Sequence, residues 1–428
     1  MDMNLLTNSP LTKSGPSMNV PFFRPQIGDG EAQAVTKALH SGWLTTGPQV
    51  KRFEQEFAKA VNAKYAVALN SCTAALHLAV EALDLQPGQG VFVPTMTFAA
   101  TAEILLYKNA IPILVDCDPV SGNMDLADAR KQLEAIREGV HPIFKDRDLE
   151  IVGIIPVHVG GSMLDIDELS RFAREFSLWI VEDAAHAFPA AWRKDHYSPW
   201  QMCGENTAVV TCYSFYANKT ITTGEGGMAV TDNQAIADRM RLMSLHGLSH
   251  DSWGRYSGSG NWDYQIVSPG YKYNMTDLAA AIGCYQLSIA EEMRVQREAI
   301  AEFYFDELAD IREIELPVWD QNRINSWHLY PIRLKLDELT ISRNQFMEKL
   351  KSAGVGCSVH WRPLHMHPLY MERFGWRVAD LPAASHLWET LVSIPIFSAM
   401  SVGEMRHVVG TVKEICTEYS LKRIYLAA

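Results

Sequence analysis

Short apolar runs alternate with helical segments from about residue 31 onward, and this alternation restricts the fold more than any other feature of the chain. Examples of the runs are "KYAVALN", "IPILVDCDP" and "LWIVEDAAHA", each of which ends in polar or small residues. Such alternation predicts a largely parallel sheet with helices on both faces. Ligands of open sheets bind beyond the carboxyl ends of the strands, so the residues that follow each run are the first candidates for a functional site.

The pattern changes after the long helical stretch that begins near "YKYNMTDLAAAIG". The segments that follow, such as "WHLYPIRLKLDEL", predict a smaller α/β unit, and 428 residues suffice for one large core and a smaller second one. We therefore expect a flexible tail over residues 1–20, a large domain over residues 21–295 and a small C-terminal domain over residues 296–428.

The acidic balance of the chain argues against a nucleic acid partner, because 38 basic residues stand against 50 acidic ones and the formal net charge is -12. No stretch approaches the roughly 18 consecutive apolar residues of a membrane span, and the N-terminus lacks the regions of a signal peptide. The seven cysteines are scattered without a C-x-x-C pair. These features predict a cytoplasmic protein with reduced thiols, no metal, and no nucleic acid or membrane partner.

One lysine, Lys219, lies in the loop of "CYSFYANKTITTGEGGMAV", between an apolar run and a glycine-bearing turn. Most loop lysines are merely solvated, and the glycines that a phosphate loop needs ahead of its lysine are missing here. A desolvated lysine can lose its proton and attack a carbonyl, which is how Schiff-base chemistry begins. The aldehyde that such a lysine most often holds is that of pyridoxal phosphate.

This cofactor also needs a carboxylate beside its pyridinium nitrogen, and "WIVEDAAHA" offers Asp183 at a strand end. An equally good interpretation of this aspartate is the N-cap of a following helix. His186 either donates a hydrogen bond to the ring hydroxyl or is a satisfied structural histidine. Phe98 follows another strand end and either stacks on the ring or belongs to the core.

The cofactor phosphate requires a cluster of donors, and "LNSCTAALHL" predicts one where a strand leads directly into a helix that begins at Thr73. The unpaired N–H groups of a first helical turn favour an anion, but every α/β protein has several such turns. The signal becomes specific because this turn, Asp183, Ser214 and Lys219 follow one another in the order expected along the chain.

These motifs resemble those of the DegT/StrS family of pyridoxal-phosphate-dependent sugar aminotransferases, and the resemblance runs from about residue 20 to residue 418. It implies an α/β fold like that of aspartate aminotransferase, fold type I, with a mainly parallel sheet in the large domain and a smaller C-terminal α/β domain. The roles it implies are the covalent cofactor link for Lys219, the ring nitrogen for Asp183, the ring hydroxyl for His186, stacking for Phe98, and the phosphate for Cys72, Thr73 and Ser214.

The segment "PGYKYNMTDLAAAIG" resembles the one whose asparagine, here Asn274, reaches the phosphate of the neighbouring subunit, which implies a homodimer with shared active sites. Together with "SGWLTTGP" and "HGLSHDSWGRYSG", it is most similar to the branch typified by UDP-4-amino-4-deoxy-L-arabinose aminotransferase. The residues expected to bind the substrate are Thr46, His328, His360 and Trp361. Trp361 replaces the family's common tyrosine, and "SFYANK" departs from the usual S-F-H-A-x-K. The resemblance implies that both departures lie near the sugar side of the site, so they bear on the identity of the substrate.

The resemblance therefore implies transfer of an amino group from an amino acid, expected to be glutamate, to the C4 keto group of a nucleotide-linked sugar in polysaccharide biosynthesis. The alternatives are a 3-keto sugar aminotransferase, a cofactor-bound regulator that senses amines without turnover, and a structural α/β subunit without a cofactor. Lys219, Asp183 and a complete phosphate seat in one chain favour the enzyme. The lysine also argues against the family's dehydratases, which have a histidine in its place.

Overall fold

The computed structural model describes residues 18–145, 148–248 and 265–422. Most of the predicted tail, residues 1–17, lies outside the described residues, as does most of the motif that spans residues 246–258. Within the described ranges, no helix is both long enough and apolar enough to cross a membrane.

Seven strands of the described chain form the central sheet, and most of their residues are buried, as expected for a sheet covered on both faces. In chain order, these strands are β1 (Tyr65–Leu69), β2 (Gly90–Pro94), β3 (Ile111–Val115), β4 (Ile151–Ile154), β5 (Trp179–Asp183), β8 (Val210–Ser214) and β9 (Gly227–Thr231). Two short strands, β6 (Ala191–Trp192) and β7 (Gln201–Met202), come between β5 and β8 in the chain and do not belong to this sheet. The spatial order is β1-β9-β8-β5-β4-β2-β3. Strands β3, β2, β4, β5 and β8 run parallel, while β9 is antiparallel to β8 and β1.

The register of this sheet brings two of the predicted site segments together. Asp183 ends β5 opposite Cys212 of β8, and Ser214 ends β8 opposite Gly227, the first residue of β9. The carboxyl ends of β5 and β8 therefore meet at one edge of the sheet, where the Lys219 loop leaves β8.

Helices cover this sheet in the described part of the chain. They are α1 (Asp29–His40), α2 (Pro48–Ala60), α3 (Cys72–Ala82), α4 (Ala100–Tyr107), α5 (Leu126–Arg137), α6 (Ile166–Phe176), α7 (Gln234–Ser244) and α8 (Asp277–Ser288), with a 3-10 turn at Val159–Gly161. Helix α3 begins one residue before the predicted start at Thr73, because the side chain of Ser71 accepts a hydrogen bond from the backbone N–H of Ala74 and caps it.

A second unit follows in the C-terminal part of the chain. Its elements are α9 (Ala290–Leu308), β10 (Ile314–Glu315), β11 (Arg323–Ile324), β12 (Tyr330–Leu334), α10 (Arg343–Ser352), α11 (Pro368–Phe374), α12 (Pro382–Thr390), β13 (Leu391–Ile394) and α13 (Val402–Glu418), with 3-10 turns at Leu364–Met366 and Val378–Asp380. Strands β10, β12 and β13 form an antiparallel sheet, whereas β11 pairs with β6.

The two units have separate hydrophobic cores that are joined by α9. Met293 packs in the first core and Tyr304 in the second, so the predicted division at residue 295 falls inside one helix and stays a proposal. Trp376 returns to the first core from the C-terminal part of the chain. Val20 is fully buried in the second core and pairs with Val355, so the predicted flexible tail over residues 1–20 is wrong at its end.

Candidate active site

A cleft of about 1430 Å³, including its open mouth, lies at the carboxyl ends of β5 and β8. It brings together most of the residues predicted for the site, namely Cys72, Thr73, Phe98, Asp183, His186, Ser214, Lys219, His328, His360 and Trp361. Its wall also includes residues that the sequence did not single out, among them Thr97, Tyr216, Asn218 and Glu225. The chain therefore assembles a single candidate site from both of its units.

The amine of Lys219 lies inside this cleft, 3.4 Å from Nε2 of His328. Its backbone N–H donates a hydrogen bond to the carbonyl of Tyr216, which closes a turn directly after β8. Burial lowers the pKa of Lys219 to about 8, against the opposing effects of Cys72 and Asp183. A neutral amine is thus accessible near neutral pH, which separates Lys219 from a solvated loop lysine.

Asp183 is a buried carboxylate that the surrounding donors hold in one orientation. Its Oδ2 accepts from Oγ1 of Thr101 at 2.8 Å, and its Oδ1 accepts from the N–H of Ala185 at 3.1 Å. Burial raises the pKa of Asp183, and the bonds from Thr101 and Ala185 and the charge of Lys219 oppose that shift. The residues after Asp183 form turns and not a helix, so the N-cap interpretation is wrong.

A chain of hydroxyl groups behind Asp183 escaped the sequence analysis. Because Thr101 donates to Asp183, the 2.7 Å contact between the Oγ1 atoms of Thr97 and Thr101 has Thr97 as its donor. All three side chains are buried. The available signal was the pair of threonines in "TMTFAATAE", four residues apart, with Thr97 just ahead of α4 and Thr101 in its first turn.

His186 is held as an uncharged ring between two aromatic neighbours. Its Nδ1 accepts from the N–H of Gly160 at 3.3 Å, so the proton of the neutral imidazole is on Nε2. The ring stacks on Trp361, with centroids 5.1 Å apart, and lies 4.1 Å from the ring of His328. Burial, followed by the charge of Lys219, holds the pKa of His186 well below its usual range. The residue can therefore donate through Nε2 to an oxygen on a bound ring.

Two further histidines line the side of the cleft that the second unit supplies. Burial and the neighbouring His186 and Lys219 hold the pKa of His328 well below its usual range. Burial lowers the pKa of His360 to about 4, and its Nδ1 lies 2.9 Å from Oγ of Ser393. Both rings are uncharged near neutral pH, so they provide hydrogen-bonding groups without adding to the positive charge of Lys219.

The residues predicted for the phosphate seat lie in the first turn of α3 and at the end of β8. A Cβ added to Gly227 would lie 2.4 Å from the backbone carbon of Ser71 and 2.5 Å from the backbone nitrogen of Cys72. The glycine therefore lets β9 approach the start of α3, beside Ser214. Backbone N–H groups of a helix start and a hydroxyl group converge here, and this donor set suits a phosphate.

Phe98 is a large apolar side chain with 64% of its surface exposed, although it follows a buried strand. It lines the same cleft as Lys219 and Asp183. The interpretation of Phe98 as a core residue is therefore wrong, and its free face is available for stacking on a planar ligand.

Thr46 and Asn274 do not reach the Lys219 cleft of their own chain. Nδ2 of Asn274 donates to Oγ1 of Thr46 at 2.8 Å, and Thr46 in turn donates to the carbonyl of Met275. Both line a separate groove beside Arg241. Asp277 fixes this turn, because its carboxylate accepts from the N–H groups of Gly47, Gln49 and Val50.

The cleft defines a class of protein. A buried lysine amine, a buried carboxylate and a phosphate seat at the strand ends of a mainly parallel sheet are the features of a pyridoxal-phosphate enzyme of fold type I. The chain belongs to the DegT/DnrJ/EryC1/StrS aminotransferase family, whose model matches residues 25–413.

Similar proteins cover nearly the whole chain. The chain is 40% identical over 399 residues to an uncharacterized protein of Methanocaldococcus jannaschii, with 93% of this chain and 98% of that protein covered. It is 38% identical over 397 residues to the spore coat polysaccharide biosynthesis protein SpsC of Bacillus subtilis, with 92% and 97% covered. Among solved structures, the PLP-form of the putative sugar aminotransferase Spr1654 from Streptococcus pneumoniae superposes with a TM-score of 0.81 at 29% identity, covering 94% of this chain and 99% of that chain.

These findings confirm the predicted fold class, the family, the aminotransferase activity and pyridoxal phosphate as the cofactor. The chain is a sugar aminotransferase of this family. The roles of the individual residues, the branch within the family, the amino donor and the position that is aminated stay predictions.

Proposed function

We propose that this protein transfers an amino group from glutamate to the C4 keto group of a nucleotide-linked sugar, in the biosynthesis of a polysaccharide. The observation that carries the proposal is the convergence of Lys219, Asp183 and three uncharged histidines in one open cleft. The similarity to a spore coat polysaccharide biosynthesis protein and to a putative sugar aminotransferase supports a sugar as the acceptor.

The residues of the cleft fit the cofactor. The first turn of α3 and Ser214 would hold its phosphate, Phe98 would stack on its ring, and His186 would donate to its ring hydroxyl. Asp183 would face the ring nitrogen, with Thr97 and Thr101 holding the carboxylate in place. When bound, pyridoxal phosphate supplies an aldehyde that holds the amino group and a ring that accepts electrons.

Lys219 carries the proton transfers in this proposal. Its amine takes the proton from the α-carbon of the amino acid on Nζ, and it returns a proton to the sugar carbon when the amino group is delivered. An amine whose pKa is about 8 suits both directions, since it is neither fully charged nor a weak base near neutral pH. The carboxyl group of Asp183 would stabilise the positive charge of the ring nitrogen that it faces.

The substrate side of the cleft contains both departures from the family pattern. Trp361 covers one face of His186, and Tyr216 is 46% exposed at the cleft wall. His328 and His360 offer uncharged nitrogens to sugar hydroxyl groups. We propose that these four side chains determine which keto sugar enters.

We further propose a homodimer in which Thr46 and Asn274 of each chain act in the active site of the other chain. The support is their position, because both lie outside the Lys219 cleft of their own chain and Asp277 holds them on one fixed turn.

The scattered cysteines and the sequence composition support a cytoplasmic location, which is also a proposal.

A screen of keto sugars tests the function. The purified holoenzyme is given glutamate and then 4-keto or 3-keto nucleotide sugars, with absorbance to follow the cofactor and mass spectrometry to identify the product. We expect an amino sugar only from the 4-keto substrates. Lys219→Ala should give no product, while the control Lys194→Ala, in an exposed loop, should match wild type. Loss of the amino group from the donor without any amino sugar from either substrate set would contradict the proposal.

A further inference from the structure

Residues 18–24 form an N-terminal strap that packs on the second unit. The N–H of Val20 donates to the carbonyl of Gly354, and the N–H of Gly356 donates to the carbonyl of Val20, both at 2.8 Å. The side chain of Val20 is fully buried in the second core. The strap precedes residues 25–413, the part of the chain that the family model matches. Its position is therefore a feature that the family match does not describe.

The strap is held on both sides of Phe22. A Cβ added to Gly356 would lie 2.4 Å from the backbone nitrogen of Phe22, so the glycine lets the strap lie directly on the second unit at this point. Two residues further on, Arg24 pairs with Glu404 at 2.7 Å and covers the ring of Phe397 at 5.0 Å. These contacts fix the backbone from which the ring of Phe22 extends.

The ring of Phe22 stacks on the imidazole of His360. The two centroids are 5.4 Å apart and the planes differ by 22°. The edge of the same imidazole is held by Ser393, whose Oγ lies 2.9 Å from Nδ1 of His360. Among the described residues, His360 lines the Lys219 cleft and Phe22 does not, so Phe22 can affect the cleft only through His360.

His360 has open space on two sides. It lines the Lys219 cleft and also a second cavity of about 710 Å³, including its open mouth, whose wall includes Gly160, Trp327 and Leu391. A side chain in a close-packed core is fixed by its neighbours, whereas a ring beside open space has room for another rotamer. The contacts with Phe22 and Ser393 therefore determine where the imidazole lies.

A row of ring contacts leads from the strap into the substrate side of the cleft. The ring of His360 meets Trp361 edge to face, with centroids 5.8 Å apart, and Trp361 stacks on His186 at 5.1 Å. Phe22 is the outer end of this row. Displacement of His360 would therefore also remove a neighbour of Trp361.

We propose that Phe22 is a positioning residue for the acceptor sugar, because its ring holds the imidazole of His360 in the wall of the Lys219 cleft, where that imidazole meets a sugar hydroxyl group. The inference rests on the role proposed above for His360 in binding the sugar. Glutamate has no such contact with His360 in the proposed reaction. Loss of the Phe22 ring should therefore weaken binding of the sugar and leave the reaction with glutamate unchanged.

Separate measurement of the two half-reactions tests this proposal. The holoenzyme reacts first with glutamate, and the amino-loaded enzyme is then mixed with increasing concentrations of a 4-keto nucleotide sugar while absorbance is followed. In Phe22→Ala we expect the sugar concentration at half-saturation to rise about two- to tenfold, as for the loss of one aromatic pair. The limiting rate and the glutamate half-reaction should stay as in wild type, which is the pattern for loss of a pure binding contribution.

Three further variants separate stacking from packing. Phe22→Tyr keeps the planar ring and should bind the sugar like wild type. Phe22→Leu keeps much of the apolar volume without the ring and should resemble Phe22→Ala. The matched control is Phe23→Ala, because Phe23 is the next residue of the strap and is 39% exposed; it should match wild type in both half-reactions.

A second readout uses neither the cofactor nor the sugar. In apo-protein with isotope-labelled histidines, the ring resonance of His360 is assigned by its loss in His360→Gln. Because a stacked aromatic ring shifts the resonances of its neighbour, we expect this resonance to move in Phe22→Ala and Phe22→Leu and to stay in place in Phe23→Ala. Wild type that aminates no sugar overturns the proposed function, whereas this resonance tests the contact between Phe22 and His360 by itself.

The inference alone is overturned if wild type aminates the sugar and a folded Phe22→Ala protein shows the wild-type half-saturation and an unmoved His360 resonance. Equal losses in both half-reactions would also overturn it, since they would indicate a general loss of structure. If Phe22→Ala does not fold, the comparison of Phe22→Leu with Phe22→Tyr decides, and equal sugar binding by these two variants would show that the ring is not needed.

Discussion

His365 is a buried, uncharged histidine that should make the folded protein sensitive to acid. It is 0% exposed, with its Nδ1 2.8 Å from Oγ1 of Thr95 and its Nε2 3.0 Å from Oγ of Ser385. Burial lowers its pKa from the ordinary 6.5 to about 4. At pH 5 the unfolded chain therefore binds a proton that the folded protein does not bind.

The sign and size of the effect follow from that difference. The stability contribution of neutral His365 is complete above pH 6.5 and is lost as the pH falls through the ordinary pKa towards the folded value of about 4. Each unit of pH between the two values lowers the free energy of unfolding by about 1.4 kcal/mol, which gives a loss of about 2 kcal/mol at pH 5. The loss approaches about 3 kcal/mol at pH 4.

The assay compares urea unfolding of wild type and His365→Gln at pH 7.5 and at pH 5. Glutamine does not titrate and can keep one of the two hydrogen bonds, so we expect the variant to be less stable at pH 7.5 by about 1–2 kcal/mol. Its loss of stability between the two pH values should be smaller than that of wild type by about 2 kcal/mol. His186, His328 and His360 are present in both proteins, so their contributions cancel in this comparison.

An exposed histidine provides the control for this experiment. His196→Gln, in an exposed loop, should leave the difference between the two pH values as in wild type. If His365→Gln loses as much stability on acidification as wild type, His365 is charged in the folded protein and the reasoning from its burial is wrong.

The remaining predictions concern the active site. Lys219→Ala should lack the cofactor absorbance of wild type and show no turnover while still folding, because Lys219 lies on a loop outside the hydrophobic cores; turnover near the wild-type rate would exclude Lys219 as the residue that binds the cofactor. Asp183→Asn should bind the cofactor but react more slowly, because the rate falls about tenfold for each 1.4 kcal/mol of lost transition-state stabilisation. Steady-state rates measure this loss. Mixing Lys219→Ala with Asn274→Asp should restore about one working site per heterodimer; no recovery despite subunit exchange would refute shared sites.

The strands and the central site residues were predictable because their signals are local. Runs such as "IPILV" are buried on both faces; Asp183 ends such a run, and Lys219 lies in the loop after another. Strand alternation and the position of a polar residue after a strand can both be recognised from a few neighbouring residues. The edge of the sheet where they meet then follows from the parallel arrangement.

Long-range contacts could not be predicted from one sequence. Val20 packs in a core whose other residues lie more than two hundred positions later in the chain, and its pairing partner Val355 belongs to that core. The sequence between Val20 and Val355 gives no sign of this contact. The bond from Thr101 to Asp183 joins the first turn of α4 to the end of β5. Such features depend on three-dimensional proximity, which hydrophobic periodicity does not report.

Transfer of labelled nitrogen tests the central claim most directly. The holoenzyme is incubated with ¹⁵N-glutamate and a 4-keto nucleotide sugar, and the product is analysed by mass spectrometry beside a Lys219→Ala reaction. We predict that the wild-type amino sugar carries the ¹⁵N label at C4 and that Lys219→Ala forms none. An unlabelled amino sugar, or labelled product from Lys219→Ala at the wild-type rate, would contradict amino transfer through this cleft.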